Sequence, residues 1–191
     1  MMKRSEVVKM AKTIKSHNEV VKTYNNIKPL PVGYILKDND DWCASFVSVV
    51  FYKCGIKSFL ECSVPRMIAL AKNGGIYKNR YYTPKAGDVV IYDWDSIKDG
   101  DHVGIITDVS ENRLTVLEGN KGGVIGYRKV DVDNDVISGY ITPKYSDSVV
   151  KKYTTVDDVV NAIIRGEFGN GVDRERNLVD YFQKLVNEKL S

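Results

Sequence analysis

The feature that most constrains the fold is a run, residues 43–54, in which apolar side chains occupy nearly every side of a helix. Its apolar members are Ala44, Phe46, Val47, Val49, Val50, Phe51 and Cys54. A helix on a protein surface has one apolar stripe, whereas a helix that is apolar all round must be covered by other elements. We therefore predict a helix buried in a folded core and closed by Gly55.

The flanking segments indicate what covers this helix. Apolar residues recur at three- and four-residue steps over residues 5–27 and again over 64–72, which predicts one helix in each range. Beyond residue 87, short segments rich in Val, Ile and Tyr alternate with turn residues, which predicts strands over 88–94, 102–109, 113–118, 124–130 and 137–141. Helices followed by strands favour an α+β fold with an antiparallel sheet over alternating βαβ units.

A second, smaller unit is predicted at the carboxyl end. Residues 146–153 are polar and lack periodicity, which is typical of a linker, and a helical period returns over 154–191. Thr155 and Asp158 form a capping signal. Two apolar stripes follow: Val156, Val159, Val160, Ile163 and Ile164, then Leu178, Phe182, Leu185, Val186 and Leu190. We predict a domain over 1–145 and a small all-α module over 154–191.

Charge and hydropathy exclude several classes of partner. The chain carries 28 basic and 25 acidic residues, a net charge of +3, and lacks the dense basic face of a nucleic-acid binder. It has no run of about eighteen apolar residues that would insert into a membrane. Residues 1–15 lack the apolar stretch of a signal peptide, so we expect synthesis in the cytoplasm without one.

The chain contains three cysteines, and any of them could be structural, bind a metal or act as a nucleophile. Cys43, Cys54 and Cys62 are too few for a disulfide scaffold, and none has the paired spacing of a zinc site. A buried cysteine often serves only as a small apolar side chain, and this alternative applies to all three. Cys43 differs because it lies at the predicted start of the buried helix, and a helix N-terminus stabilises the nucleophilic thiolate form of a cysteine.

A catalytic cysteine needs a base, and the chain has two histidines. His17 lies in a lysine-rich helix and is predicted to be a surface residue. His102 opens an apolar strand, and the next strand ends in Glu118, with Asn120 two residues further on and so on the same face. These residues would supply a base, an orienting acid and an amide beside the nucleophile. A structural histidine followed by an ordinary turn remains the alternative.

Four separated motifs resemble the CHAP family, the cysteine, histidine-dependent amidohydrolases/peptidases of cell-wall hydrolases. They are Asp41-Trp42-Cys43-Ala44-Ser45-Phe46-Val47-Ser48, Lys85-Ala86-Gly87-Asp88-Val89-Val90, Asp101-His102-Val103-Gly104-Ile105 and Glu118-Gly119-Asn120. The resemblance covers residues 16–145 and implies a papain-like fold. It further implies Cys43 as nucleophile, His102 as general base and then acid, Glu118 as the group orienting the imidazole, and Asn120 as a supporting polar residue. The backbone N–H of Cys43 would contribute to an oxyanion hole.

The resemblance to the CHAP family also bears on metal, cofactor and substrate contacts. Some family members bind calcium just before the cysteine, but the spacing of the acidic run Asp38–Asp41 does not match that pattern. We interpret this run as a capped, solvated turn and predict no metal and no cofactor. Tyr92 and Trp94, which precede His102, are candidates to line the substrate groove, although such a pair of aromatics is as often part of a core.

The carboxyl-terminal segment resembles a short cell-wall-binding repeat of the Cpl-seven type. The resemblance rests on Arg165-Gly166-Glu167-Phe168-Gly169-Asn170-Gly171, Arg174, Leu178, Gln183, Val186-Asn187-Glu188 and Leu190. Phe168 stands where the family more often has tryptophan, and the segment between Leu178 and Gln183 is about five residues shorter than usual. The resemblance implies that the muropeptide of peptidoglycan is bound by Gly169, Asn170, Gly171 and Arg174. Without it, the glycine-rich segment would be only a helix-breaking loop.

The resemblances together imply a phage-type endolysin that acts on the cell wall after release from the cytoplasm. The bond cut would be the N-acetylmuramoyl-L-alanine amide, with a stem-peptide or cross-bridge bond as the alternative. Two other classes stay open: an inactive wall-binding protein, and an intracellular papain-like hydrolase acting on proteins. A single repeat should bind its ligand weakly, and weak self-association would add avidity.

Overall fold

The chain forms two compact units. The computed structural model describes residues 2–95, 100–145, 153 and 155–168, and nine positions beyond them: 171, 174, 175, 178, 179, 181, 182, 183 and 186. One unit comprises Met1–Arg80 and Pro84–Asp147, and the other comprises Tyr81–Thr83 and Ser148–Ser191. Residues 146–152 of the predicted linker lie outside the described residues, and the predicted domain limits stay a prediction.

Over the part of the first unit that the structure describes, four helices precede the sheet. They are α1 (Arg4–Ala11), α2 (His17–Asn25), α3 (Cys43–Lys53) and α4 (Val64–Asn73), with a 3-10 turn at Pro31–Gly33. The prediction of one helix over residues 5–27 was wrong. The chain breaks after α1, and the Ser16 hydroxyl accepts a hydrogen bond from the backbone N–H of Glu19 at 3.2 Å, which starts a second helix.

As far as its residues are described, the sheet has six strands in the order β1-β6-β2-β3-β4-β5, and every pair is antiparallel. The strands are β1 (Tyr77–Asn79), β2 (Val89–Tyr92), β3 (His102–Ser110), β4 (Arg113–Lys121), β5 (Val124–Asp131) and β6 (Ile137–Ile141). Five strands were predicted and the short β1 was not. The α+β interpretation with an antiparallel sheet is confirmed.

Helix α3 lies at the centre of the first unit. It contacts α1, α2 and α4 on its helical sides and β3 and β4 of the sheet, and every residue from Cys43 to Phe51 is buried. The prediction of a fully covered helix is therefore confirmed. At its contact with β4, a side chain on Gly119 would overlap Phe46, so only glycine lets α3 pack this closely on the strand.

The second unit contains helix α5 (Val156–Ile164), which begins with the predicted capping box between Thr155 and Asp158. Its core consists of Ala162, Phe168 and Tyr181, with Tyr153, Val159, Ile163 and Leu178 packed around them. The first predicted stripe is thus split between two faces, because Val156, Val160 and Ile164 are exposed. An all-α structure for the whole of 154–191 stays a prediction. Among the described residues, no helix has the length and apolar character needed to span a membrane.

Candidate active site

Cys43 is the first residue of α3 and lies just beneath the protein surface. Its thiol is free and its side chain is buried. The N–H groups of the first helical turn have no acceptor within the helix and are available to a group bound at this end of α3. A negative charge at this position is further favoured by the helix dipole.

His102 and Glu118 lie on adjacent strands. His102 is the first residue of β3 and Glu118 lies on β4, and the Nε2 atom of His102 is 3.2 Å from Oε2 of Glu118. His102 is 7% exposed and Glu118 is fully buried. Space for the glutamate comes from Gly104, where a Cβ atom would lie 2.7 Å from Cγ of Glu118 and 2.5 Å from Cγ1 of Val116.

The proton affinity of His102 reflects both of its neighbours. Burial of the imidazole disfavours its charged form, but hydrogen bonds with Cys43 and Glu118 and the charges of these two groups outweigh burial and raise the pKa of His102 to about 9. Because Nε2 is bonded to Glu118, Nδ1 is the nitrogen left to face the Cys43 thiol. The structure thus brings Cys43, His102 and Glu118 together, in the order of a nucleophile, a base and an orienting acid.

Glu118 has a second partner that the sequence analysis missed. Nε of Arg128, on β5, lies 2.7 Å from Oε1 of Glu118. Burial raises the pKa of the Glu118 carboxyl, but the hydrogen bonds from His102 and Arg128 outweigh burial and hold this pKa below its ordinary value. The strand register explains this contact. Gly126 is opposite Glu118, and because side chains alternate along a strand, Arg128, two residues further on, lies on the same face of the sheet as Glu118.

The two predicted aromatic contacts differ in exposure. Tyr92 is fully buried, and its ring packs under Trp94 as part of the interior, as in the core alternative; its prediction as a substrate-binding residue stays a prediction. Trp94 is 48% exposed, and its ring centroid lies 5.3 Å from that of His102. The prediction that Trp94 binds substrate stays a prediction, and its position beside the base is suitable for it.

Asn120 lies at the end of β4 and bonds away from the imidazole. Its Nδ2 atom donates to Oδ1 of Asp41 at 2.8 Å, and its backbone has a φ of 57°. This bond joins β4 to the turn that leads into Cys43. The supporting role implied for Asn120 stays a prediction, with this contact as its structural basis.

His17 was predicted to be a surface residue, and the structure shows it only partly exposed. Its ring stacks on Trp42, with centroids 4.7 Å apart and ring planes at 23°. The side chain is half-buried, and among the described residues its buried Nε2 atom has no hydrogen-bond partner. Lys22, the one lysine of α2, is exposed, whereas His17 lies against Trp42, the residue before Cys43.

The predicted wall-binding residues are only partly described. Gly169 and Asn170 lie outside the described residues. Gly171 is exposed with a φ of 53°, and Arg174 is half-buried. The role of all four residues in ligand binding stays a prediction.

Among the described residues, one group of three acidic side chains lies next to His102 in the chain. Single oxygens of Asp93, Asp95 and Asp101 lie within 4.8 Å of one another. Carboxylates often meet at a surface without a metal, and we assign none to them. In the run before Cys43, Asp40 accepts hydrogen bonds from the Lys37 N–H and the Tyr34 hydroxyl, as expected of a turn. The prediction that no metal or cofactor is needed stays a prediction.

Comparisons with known proteins agree with the two resemblances. The CHAP domain model matches residues 36–120, and the CW_7 repeat model matches residues 157–190. The crystal structure of Ly7917 is similar to 54% of this chain at 20% identity, with a TM-score of 0.39. The crystal structure of Ly7917 with the hydrolyzing product of MDP is similar to 73% at 15% identity, with a TM-score of 0.43.

The chain spans 53% and 62% of the length of those two solved chains. A comparison with curated proteins finds no match. The two family models match separate parts of the sequence, one around Cys43, His102 and Glu118 and one over the second unit. The chain therefore contains a CHAP domain at residues 36–120 and a CW_7 repeat at residues 157–190.

Proposed function

We propose that this protein is a cysteine-dependent peptidoglycan hydrolase of the endolysin type, which cuts an amide bond through an acyl-enzyme. The observation that carries the proposal is the arrangement of Cys43 at a helix N-terminus with His102 and Glu118 behind it. The CHAP domain supports the chemistry, and the CW_7 repeat supports attachment to the cell wall.

The first half of the reaction forms the acyl-enzyme. The Cys43 thiol gives its proton to His102, and its sulfur attacks the carbonyl carbon of the substrate amide. The backbone N–H groups at the start of α3, that of Cys43 included, stabilise the oxyanion. The C–N bond then breaks as His102 returns its proton to the departing amine, which leaves a thioester on Cys43.

The second half releases the acid. A water molecule gives a proton to His102 and attacks the thioester carbonyl, and the C–S bond breaks to free the new carboxylic acid and regenerate Cys43. Glu118 stays ionised throughout, because His102 and Arg128 both hold its pKa down. Its role is to keep the imidazole oriented and to stabilise the imidazolium in each half-reaction.

The second unit holds the enzyme on its substrate in this proposal. The CW_7 repeat would bind the muropeptide through Gly169, Asn170, Gly171 and Arg174. One repeat presents a small surface, and small interfaces bind weakly because they barely offset the cost of immobilising the partner. The protein would be made in the cytoplasm of a phage-infected host and would reach the wall after release.

Fragment analysis tests the reaction and identifies the bond. Purified peptidoglycan is digested with the wild-type chain and with Cys43→Ala, and the released fragments are weighed by mass spectrometry. Glycan free of peptide beside intact stem peptides would identify the N-acetylmuramoyl-L-alanine amidase that we favour. Glycan that carries shortened or uncrosslinked peptides would identify an endopeptidase. Release by neither protein would favour an inactive wall-binding protein.

A hydrolase of intracellular proteins is the remaining alternative. It would use the same three residues, but it would have no use for a wall-binding repeat. Digestion of an unfolded protein substrate beside peptidoglycan separates the two. The proposal predicts cleavage of peptidoglycan only.

A further inference from the structure

Arg128 contacts the carboxylate oxygen of Glu118 that the imidazole does not contact. We propose that Arg128 is a positioning residue of this active site, which holds the Glu118 carboxylate against Nε2 of His102. The inference rests on the proposed function for its catalytic consequence, but the geometry it describes is independent of the substrate. It makes the site a chain of four side chains, from Cys43 through His102 and Glu118 to Arg128.

The burial of Glu118 is the first reason. Its side chain is fully buried, and its two oxygens have different partners, Oε2 with His102 and Oε1 with Arg128. A buried carboxylate is costly unless it is paired and hydrogen-bonded. The bond to Arg128 is the shorter one, 2.7 Å against 3.2 Å, so the arginine anchors the carboxylate more firmly than the imidazole does.

The guanidinium is itself held in place. Its Cζ atom lies 5.3 Å from the ring centroid of Tyr92 and 5.7 Å from that of Trp94. These two rings are stacked, with centroids 5.7 Å apart and planes at 7°. A planar guanidinium stacks on aromatic faces and directs its N–H groups at fixed angles, whereas a lysine ammonium does neither. The aromatic pair therefore fixes the direction from which Arg128 bonds Glu118.

The neighbourhood offers Glu118 a competing partner. The Tyr92 hydroxyl is buried beside the Glu118 carboxylate. Burial, the negative charge of Glu118 and hydrogen bonding with its carboxylate raise the pKa of Tyr92, so this hydroxyl keeps its proton and remains a donor. Without Arg128, the carboxylate is free to turn toward the hydroxyl and away from His102.

The test is the proton affinity of His102 in the full-length chain. Since the protein has two histidines, NMR of ¹⁵N-labelled imidazoles gives two titrations, and the spectrum of His102→Ala assigns them. The titratable and charged groups that face the His102 imidazole are Cys43 from α3, Glu118 from β4 and Tyr92 from β2, with Arg128 from β5 behind Glu118.

Arg128→Gln gives opposite results for the two roles that Arg128 could have. If Arg128 positions Glu118, its loss weakens the bond to the imidazole, and the pKa of His102 falls by about 1 unit, as expected for one lost hydrogen bond to a charged group. If Arg128 were only a nearby positive charge, its removal would leave this pKa unchanged or raise it. Either of the latter results would overturn the proposal.

The reaction rate gives a second measurement. On a soluble muropeptide we expect kcat to fall about 10- to 100-fold in Arg128→Gln, the equivalent of a charge-assisted hydrogen bond, with little change in KM. Arg128→Lys keeps the charge but not the planar geometry, and should recover only part of kcat. An equal loss in both variants, or a change confined to KM, would contradict a positioning role.

Arg113→Gln is the matched control. Nε of Arg113 also bonds a carboxylate across β4 and β5, that of Asp131 at 2.9 Å, but both side chains are about half exposed. This variant should match the wild type in the pKa of His102 and in kcat. Circular dichroism checks folding, and if Arg128→Gln does not fold, Arg128→Lys carries the same test with a smaller shift. The titration needs no substrate, so a chain that fails to cut peptidoglycan still decides the inference.

Discussion

Replacement of Gly104 by alanine should damage the active site from within the sheet. The added Cβ would lie 2.5 Å from Cγ1 of Val116 and 2.7 Å from Cγ of Glu118. Ordinary carbon–carbon contacts are about 3.5–4.0 Å, so one or both neighbours must move. Both are fully buried, and Glu118 is also fixed by hydrogen bonds to His102 and Arg128. The glutamate cannot move without weakening those bonds.

The magnitude follows from overpacking of a buried site. An extra methyl group in a filled interior costs about 1–3 kcal/mol of unfolding free energy. In a chain of this length, each kcal/mol lowers the melting temperature by about 2–4 °C. We therefore expect Gly104→Ala to lower the melting temperature by roughly 2–12 °C and to reduce the rate of peptidoglycan hydrolysis, because Glu118 is displaced from the imidazole.

Gly126→Ala provides the control on the neighbouring strand. Gly126 is opposite Glu118, but a Cβ there would meet only the flexible side chain of Lys121, at 3.3 Å. This variant should stay within about 0.5 kcal/mol of the wild type. Thermal melting by circular dichroism and turbidity of a peptidoglycan suspension measure both variants. Equal melting temperatures for Gly104→Ala and the wild type, with equal activity, would refute the steric argument.

Three further outcomes are expected. Activity should fall as pH rises through about 9, where the His102 imidazolium loses its proton. Glu118→Gln should move this fall to lower pH, because the substitution removes a negative charge that favours the imidazolium. An unchanged pH–rate profile in Glu118→Gln would contradict the pairing of Glu118 with His102. Arg4→Ala should lower the unfolding free energy in urea by about 3–5 kcal/mol, because it leaves the fully buried Asp88 carboxylate without its 2.6 Å partner; a loss below 1 kcal/mol would contradict this. Residues 1–145 alone should keep hydrolysis but sediment less with cell walls than the full chain, and equal sedimentation would remove the binding role of the second unit.

Much of the first unit could be predicted from local patterns. The fully apolar run that starts at Cys43 required a covered helix, and alternating segments gave five of the six strands. The patterns failed where the signal was short or was set by a cap. β1 has only three residues, and Ser16 begins a new helix within a sequence whose apolar period continues across the break.

Site residues could be predicted from sequence where the reaction requires a particular residue type. They could not be predicted where a residue matters only because of its position in the fold. Cys43 and His102 stand out because few residue types act as nucleophile and base. Arg128 does not stand out, since its importance depends on register with β4. Tyr92 and Trp94 look alike in sequence, yet one is buried and the other is half exposed, because the Trp94 ring stacks over the Tyr92 ring and covers it.

The central claim is that the Cys43 thiol performs the hydrolysis. Its most direct measurement is the initial rate of fragment release from purified peptidoglycan by the wild-type chain and by Cys43→Ala at equal concentration, with both proteins shown to be folded and to bind walls equally. The account predicts release by the wild type and none above background by the variant. Comparable release by the two proteins would contradict it.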